Sequence, residues 1–442
     1  MDSYKTSFKS HTKSTKFCFL FVACIAFLWL LATSNSWKAT GINHTLKGIG
    51  SFFGLIGYCF FSLSLFLSSR WKKLEDWLGG LDQIYRTHIL IGIWGFCFIL
   101  IHPLILSLKW VPDRMSKFLL FFFPLHDRLS VNLGSYSFWL MVIILGITLL
   151  KLLPYDKWKI SHKFMSIVFI LASFHFLVSY KLFKGTELAT VLLLIPMGIG
   201  FFAIIYKQII YEFFLSYPIY EVVKTKELNN NTITATLVPK KSNLEFIPGQ
   251  YAFFSFRKSS LSRESHPFTL LGTANGSSIS IIVKVRGDFT KSLYHNLKPK
   301  DLAYIEGPYG KFNYAQAKNS QIWIAGGIGI APFLTWSKNL YSSQTTTTKI
   351  SLFYCVHKKS DAIFLDELKD ISSKLSNFNF FFFCSEQKNR LNANKVQEKI
   401  GNLKDCSILM CGPKRMTNDF TKQFVNLRVN IKNIIFEDFE FI

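Results

Sequence analysis

Residues 86–102 read RTHILIGIWGFCFILIH, and residues 162–175 read HKFMSIVFILASFH. Both stretches are apolar along almost their whole length. Each carries a histidine near or at both ends, His88 and His102 in the first, His162 and His175 in the second. An imidazole in hydrocarbon loses its water, so such rings are costly there and mark function. Working outward, apolar segments long enough to cross a bilayer, about 20 residues each, fall near 17–34, 48–68, 87–108, 133–153, 160–180 and 187–206. The chain reads as a six-helix transmembrane bundle followed by a half of mixed polarity.

The distribution of Lys and Arg gives the direction. Lys5, Lys9, Lys13, Lys16, Arg70, Lys72, Lys73, Arg86, Lys151, Lys157, Lys159 and Lys207 make twelve on one side. Lys38, Lys47, Lys109, Arg114, Lys117, Arg128, Lys181 and Lys184 make eight on the other. The N-terminus is therefore expected inside and, after six spans, the second half as well. A basic start and apolar run have the form of a signal peptide, but five further spans make a retained first helix the expectation.

The net charge is +24, and 41 of the 51 basic residues are lysine. Such a surface suits anionic membrane lipid or a phosphorylated cofactor. Because Asn, Phe and Ile are abundant alongside Lys, the charge reads as compositional drift, and no nucleic acid is expected as a partner. The eight cysteines show no CxxC or zinc-like spacing, and most, falling in apolar runs, read as buried small residues.

The third and fifth spans run in the same direction. His88 and His162 then lie near the inner face, His102 and His175 near the outer. Separations of 14 and 13 residues correspond to about 21 and 19.5 Å of helix. Hydrogen bonding to a neighbouring helix would account for one such histidine. Four, paired at nearly equal spacing on parallel spans, form two levels with one imidazole from each helix, as two stacked b-type hemes with bis-histidine ligation require.

At about 100° per residue, fourteen steps return within about 40° of the same face, whereas thirteen miss by about 140°. A distortion is therefore predicted between His162 and His175. Phe169, midway along, either bridges the two levels or packs the core. Arg86 and Lys163 suit propionates at the inner level, or serve as interfacial anchors.

Beyond Tyr217 come short alternating stretches, YEVVKTKEL, TITATLVPK, YAFFSF and SISIIVKV, spaced as in a barrel. From about Ser320 the pattern becomes strand–loop–helix, as in a parallel α/β sheet. At the junction stands IWIAGGIGIAPFLTW. A strand ends at Gly326, Gly327 and Gly329 and a helix follows Pro332, which lets backbone amides approach a pyrophosphate at the helix's positive end. The expected organisation is a cytosolic tail (1–16), a transmembrane heme-binding domain (17–210), an antiparallel β-barrel (217–317) and an α/β parallel-sheet nucleotide-binding domain (320–442).

In order along the chain, PGQYAFFSF, SHPFTLL, VKVRGDFTKSL, IEGPYGKF, GGIGIAP, FYCVHKKSDAIF, MCGP and FEDFEF resemble the ferredoxin-reductase-type FAD/NADPH module of the NADPH oxidases and ferric reductases. LGGLDQIYRTHILIG and the two histidine pairs resemble the family's ferric-reductase-like transmembrane domain. The resemblance covers nearly the whole chain, and the compact layout is that of a prokaryotic member.

The resemblance implies that His266, Pro267, Phe268 and Thr269 hold the flavin, with the Thr269 hydroxyl near its hydride-accepting nitrogen. Lys284, Arg286, Gly287 and Thr290 would hold the FAD pyrophosphate, although GDFT also reads as a turn and helix cap. Gly326, Gly327, Gly329 and Pro332 would cradle the nicotinamide cofactor's pyrophosphate. Cys411, in MCGP with Gly412 and Pro413, would lie beside the nicotinamide. Phe441 would stack on the flavin until nicotinamide displaces it. His357, Lys358 and Lys359, with Arg390, offer a basic site for a 2′-phosphate and point to NADPH, with NADH as the alternative.

The activity implied is electron transfer from NADPH through FAD and two hemes to an acceptor outside. Dioxygen, giving superoxide, is the first expectation, and reduction of ferric or cupric chelates is the second. Loop 109–132 carries LLFFFP, which suits a small neutral acceptor. Its basic residues and Lys47 suit an anionic chelate. No calcium-loop pattern DxDxDG occurs, so activity without an obligatory activator protein is expected, from an integral protein of the plasma membrane.

Overall fold

Backbone amides and carbonyls have no water to bond in hydrocarbon, so long apolar runs close their hydrogen bonds as helices. The computed structural model describes residues 13–34, 41–180, 187–214, 217–257, 264–272, 277–343, 348–387 and 390–437. They form two compact units, Met1–Leu215 and Ser216–Ile442.

The first unit is helical: α1 (Lys13–Ala32), α2 (Ile42–Ser68), α3 (Lys72–Leu78), α4 (Leu81–Ser107), α5 (Met115–Leu120), α6 (Leu129–Leu149), α7 (Tyr155–Lys163), α8 (Met165–Tyr180) and α9 (Glu187–Ile205). A π-helical stretch, Tyr206–Phe214, follows. Among the described residues six helices are long and apolar enough to cross a membrane: Lys13–Ala32, Ile42–Ser68, Leu81–Trp110, Leu129–Leu149, Lys157–Ser179 and Val191–Tyr211. The second, third and fourth begin several residues before the predicted spans. Their first two turns carry Asn43 and His44, Asp82 and Arg86, or Ser130 and Asn132, residues that hydropathy discounts and helix geometry accepts.

Burial follows membrane logic. Leu55, Cys59, Phe60, Leu63, Ile84 and Ile91 pack inward, while Leu20, Phe27, Ile89, Ile93, Ile143 and Phe174 face outward, as lipid-facing side chains do. The predicted distortion falls at Phe164, which separates α7 from α8. Its N–H donates to the Ser161 carbonyl (3.1 Å), and the Ile167 N–H to the Phe164 carbonyl (2.9 Å). These three-residue turns wind the chain more tightly than an α-helix.

The second unit holds two sheets. Strands β1 (Ile219–Asn229), β2 (Thr232–Pro239), β3 (Tyr251–Phe256), β4 (His266–Thr269), β5 (Leu271–Gly272), β6 (Ile279–Lys284) and β7 (Leu302–Tyr309) form an antiparallel sheet ordered β4-β3-β7-β1-β2-β6-β5. Its two edge strands are separated in sequence by Leu270 alone, so the sheet curls until its edges meet there. Tyr220, Val222, Ala235, Phe254, Ile281 and Ile305 fill the interior. Helix α10 (Asp288–Asn296) lies between β6 and β7 in the chain.

Strands β8 (Ser320–Gly326), β9 (Lys349–Val356), β10 (Phe378–Cys384), β11 (Ser407–Cys411) and β12 (Ile434–Glu437) alternate with α11 (Ala331–Ser343), α12 (Leu365–Lys374), α13 (Ala393–Ile400) and α14 (Lys414–Asn426). The sheet is parallel, ordered β10-β9-β8-β11-β12. Chain order reverses between β8 and β11, and in open α/β sheets ligands bind at the carboxyl ends beside that reversal.

Candidate functional site

In the first unit the four histidines meet in pairs across α4 and the α7–α8 span. The ring centres of His88 and His162 lie 6.2 Å apart, those of His102 and His175 6.3 Å. A metal–imidazole bond of about 2.0–2.1 Å, plus about 1.1 Å from nitrogen to ring centre, puts two axial ligands of one metal about 6.2–6.4 Å apart. Among the described residues no cluster of three or more His, Cys, Asp or Glu could hold a metal ion. Two opposed imidazoles per level suit a metal whose other ligands come from a macrocycle.

The neighbours of each ring settle its tautomer. The Nδ1 of His102 lies 2.7 Å from the Gly50 carbonyl, and that of His175 2.6 Å from the Ser130 carbonyl. The Nδ1 of His88 lies 2.9 Å from the Ser64 carbonyl. Carbonyls only accept, so each of these nitrogens carries the proton. The Nδ1 of His162 lies 3.4 Å from Thr148 Oγ1. That hydroxyl spends its own proton on the Ile144 carbonyl at 2.8 Å, so it too accepts. All four Nε2 lone pairs are left to bind a metal, with the Nδ1 bonds fixing ring orientation.

Two glycines seat the rings of one level. A Cβ on Gly54 would lie 2.7 Å from His102 Nδ1, and one on Gly134 2.8 Å from His175 Nδ1. Each stands four residues beyond the carbonyl that holds the same ring, Gly50 or Ser130, on the same helix face. The sequence reading missed these holders. A pair of small residues four apart inside an apolar span is the signal that would have found them.

Between the levels, Phe169 is fully buried. It stacks on Tyr58 (5.1 Å, 7°) and meets Phe61 and Phe201 edge-on, while a Cβ on Gly200 would come within 2.1 Å of its ring. Arg86 pairs with Asp82 at 2.6 Å, and Lys163 is exposed. At the His102 end, Lys109 lies over the Trp110 ring at 4.2 Å, within reach of the charges of Arg128 and Lys47.

In the antiparallel domain His266, Pro267, Phe268 and Thr269 form β4, with Phe268 and Thr269 buried. The His266 ring stacks on Phe289 at 3.8 Å, and its Nε2 lies 2.7 Å from Glu264. Thr290 Oγ1 accepts from the amides of Arg286 (2.8 Å) and Gly287 (3.1 Å) and donates to the Gly287 carbonyl (3.0 Å). That exhausts the hydroxyl. Thr290 thus shapes the loop ahead of α10, beside which Lys284 is half-buried and Arg286 exposed.

The parallel sheet brings the glycines of β8 against the end of β11. A Cβ on Gly329 would lie 2.2 Å from the Cys411 carbonyl oxygen, and one on Gly412 3.1 Å from the Gly326 backbone. Gly327 takes φ +55, which glycine adopts without strain. Pro332 is the second residue of α11, and its missing N–H costs a first turn nothing. Cys411 is fully buried and Pro413 exposed. His357, Lys358 and Lys359 are exposed beyond β9, as is Arg390. The His357 Nδ1 meets Ser385 Oγ at 3.0 Å. Phe441 lies outside the described residues.

Three family models match the chain in order: a ferric reductase like transmembrane component over residues 53–173, an FAD-binding domain over 219–313 and an oxidoreductase NAD-binding domain over 323–422. The electron transfer component of 2-halobenzoate 1,2-dioxygenase from Burkholderia cepacia is 25% identical over 220 residues, covering 48% of this chain and 64% of that protein. A component of the Na(+)-translocating NADH-quinone reductase of Pseudomonas paraeruginosa is 27% identical over 156 residues, 33% of this chain and 38% of that one. The chain thus spans less than two thirds of either relative. A flavohemoglobin from Malassezia yamatoensis, solved with bound FAD and heme, shares 15% identity at a TM-score of 0.51, covering 91% of this chain and 99% of that chain. That likeness concerns fold alone.

Proposed function

From a chain that fuses a ferric reductase-like transmembrane component to FAD-binding and NAD-binding oxidoreductase domains in one integral membrane protein, we propose a transmembrane oxidoreductase. It carries electrons from NADPH through FAD and two b-type hemes to an acceptor beyond the membrane. The N-terminus and both nucleotide domains stand in the cytoplasm, and the membrane is the plasma membrane. When bound, the flavin turns a two-electron hydride into single electrons, which six-coordinate hemes pass on.

The observation that carries this reading is the opposition of two imidazole pairs at 6.2 and 6.3 Å, every Nδ1 engaged by an acceptor. The chain's own contribution is orientation. Gly50, Ser64, Ser130 and Thr148 aim the rings, Gly54 and Gly134 give two of them room, and Phe169 with Tyr58 keeps the space between the levels dry. His102 and His175 would both be spent as ligands of the outer heme, which would supply single electrons to the acceptor. Thr269, buried in β4, is assigned to the flavin, and Cys411, buried at the end of β11, to the nicotinamide.

Dioxygen, giving superoxide, is the acceptor proposed first, because Phe118, Leu119, Leu120 and Phe121 make the loop beyond α4 greasy. Lys47, Lys109 and Arg128 favour the second reading, an anionic ferric or cupric chelate. The deciding experiment supplies NADPH and FAD to the full-length protein in detergent. Cytochrome c reduction that superoxide dismutase abolishes supports the first reading. Chelate reduction without oxygen, with no such superoxide signal in air, supports the second. A purified protein lacking a low-spin heme spectrum defeats both.

A further inference from the structure

The cationic residue assigned to the flavin diphosphate already has an anionic partner. Lys284 Nζ lies 3.2 Å from Asp361 Oδ1, both side chains half-buried. Lys284 ends β6 in the antiparallel domain. Asp361 closes a 3₁₀ turn, Lys359–Asp361, just beyond His357 and Lys358. Its own N–H donates to the Lys358 carbonyl at 3.0 Å. A second contact runs beside the pair, from Asn229 Nδ2 at the end of β1 to the Ser360 carbonyl at 3.0 Å. One five-residue loop therefore offers its first three side chains to a nucleotide phosphate and fastens its last two residues to the flavin domain.

We propose that Asp361 is a built-in competitor of the FAD diphosphate for Lys284, so that flavin binding must displace or share an ion pair held by the nucleotide loop. The inference rests on the assignment of Lys284 to the flavin. A carboxylate at 3.2 Å from the ammonium occupies one of its three N–H directions and places a negative charge where a diphosphate would bring two more. Exchange of Asp361 for a neutral side chain frees the lysine and removes the repulsion. Linkage then runs both ways, because a ligand that holds residues 357–359 changes the position of Asp361, and flavin occupancy changes the loop offered to that ligand.

The test uses the full-length protein in detergent, stripped of flavin, with FAD binding followed by quenching of flavin fluorescence. Asp361→Asn is expected to bind FAD about twofold to fivefold more tightly, the range of a partly exposed ion pair. Asp361→Glu, which restores the charge, is expected to return the affinity to that of the unaltered chain. Equal or weaker binding by Asp361→Asn overturns the proposal. Lys284→Ala reports on the assignment beneath it. Weakened FAD binding there, with Asp361→Asn unchanged, sinks the competition alone. Undiminished binding by Lys284→Ala sinks the flavin assignment and the competition together. Asn229→Ala removes the uncharged contact beside the pair, together with the bond its Oδ1 accepts from the Asn231 amide at 3.2 Å in the β1–β2 turn, and affinity within about twofold of normal separates charge competition from general loosening of the loop.

Discussion

The imidazoles of His102 and His175 face each other with ring centres 6.3 Å apart, each pinned through Nδ1 to a carbonyl of a different helix. Neither ring can turn without breaking a bond that no water in the bilayer would replace. Replacing either histidine by leucine is therefore expected to empty this level and leave the His88–His162 level filled. Pyridine hemochrome analysis should fall from two hemes per chain to one; two hemes retained would contradict the assignment.

Gly54→Ala and Gly134→Ala push a methyl to within 3 Å of an imidazole nitrogen, closer than side-chain carbons approach. Each is expected to cost about 1–3 kcal/mol as an overpacked core does, and to lower the low-spin heme signal of that level alone. Thermal unfolding followed by heme absorbance checks both.

Phe169→Ala opens a cavity in a packed aromatic cluster and is expected to destabilise the membrane unit by about 3–5 kcal/mol. Phe169→Leu keeps most of the volume and should cost less. Slower reduction of the second heme in Phe169→Leu, with both hemes still bound, would distinguish a bridging ring from a filler.

Gly329→Ala drives a methyl into the Cys411 carbonyl, 2.2 Å away, and must part the loops at the sheet's reversal point. NADPH oxidation is expected to fall about tenfold or more, some 1.4 kcal/mol or above. FAD absorbance per chain should be unchanged, because the residues assigned to the flavin lie on β4, β6 and the start of α10, none of which the new methyl meets.

Thr290→Val deletes the hydroxyl that caps α10 and costs about 1 kcal/mol. FAD affinity should fall with it, and Thr290→Ser should restore both. A Val variant with weakened flavin and undiminished stability would instead mean direct contact with phosphate.

The paired levels were legible because histidine is rare in apolar spans and 14 and 13 residues are nearly equal rises. The same arithmetic located a helix break that the structure places at Phe164. The partners of the rings were not legible. Gly50, Ser64 and Ser130 hold the histidines through carbonyls, which every residue type possesses, so side-chain identity carries little trace of the role. Thr290 illustrates the reverse case: its motif announced both a helix cap and a phosphate site, and only the three bonds of its hydroxyl reveal how it is spent. The Lys284–Asp361 pair joins residues 77 apart in a chain where lysine is everywhere, so sequence offered nothing to single it out.

The interruption at Phe164 divides one membrane crossing into two rods. Insertion or deletion of a residue within 155–163 re-aims His162 alone, since the twist it introduces is absorbed at the joint. The same change in α4, which runs without interruption from Leu81 to Ser107, would swing one of its histidines relative to the other by about 100°. The two helical walls that carry the paired histidines therefore differ in evolvability: the jointed wall can drift in length at its His162 end, and the continuous one cannot.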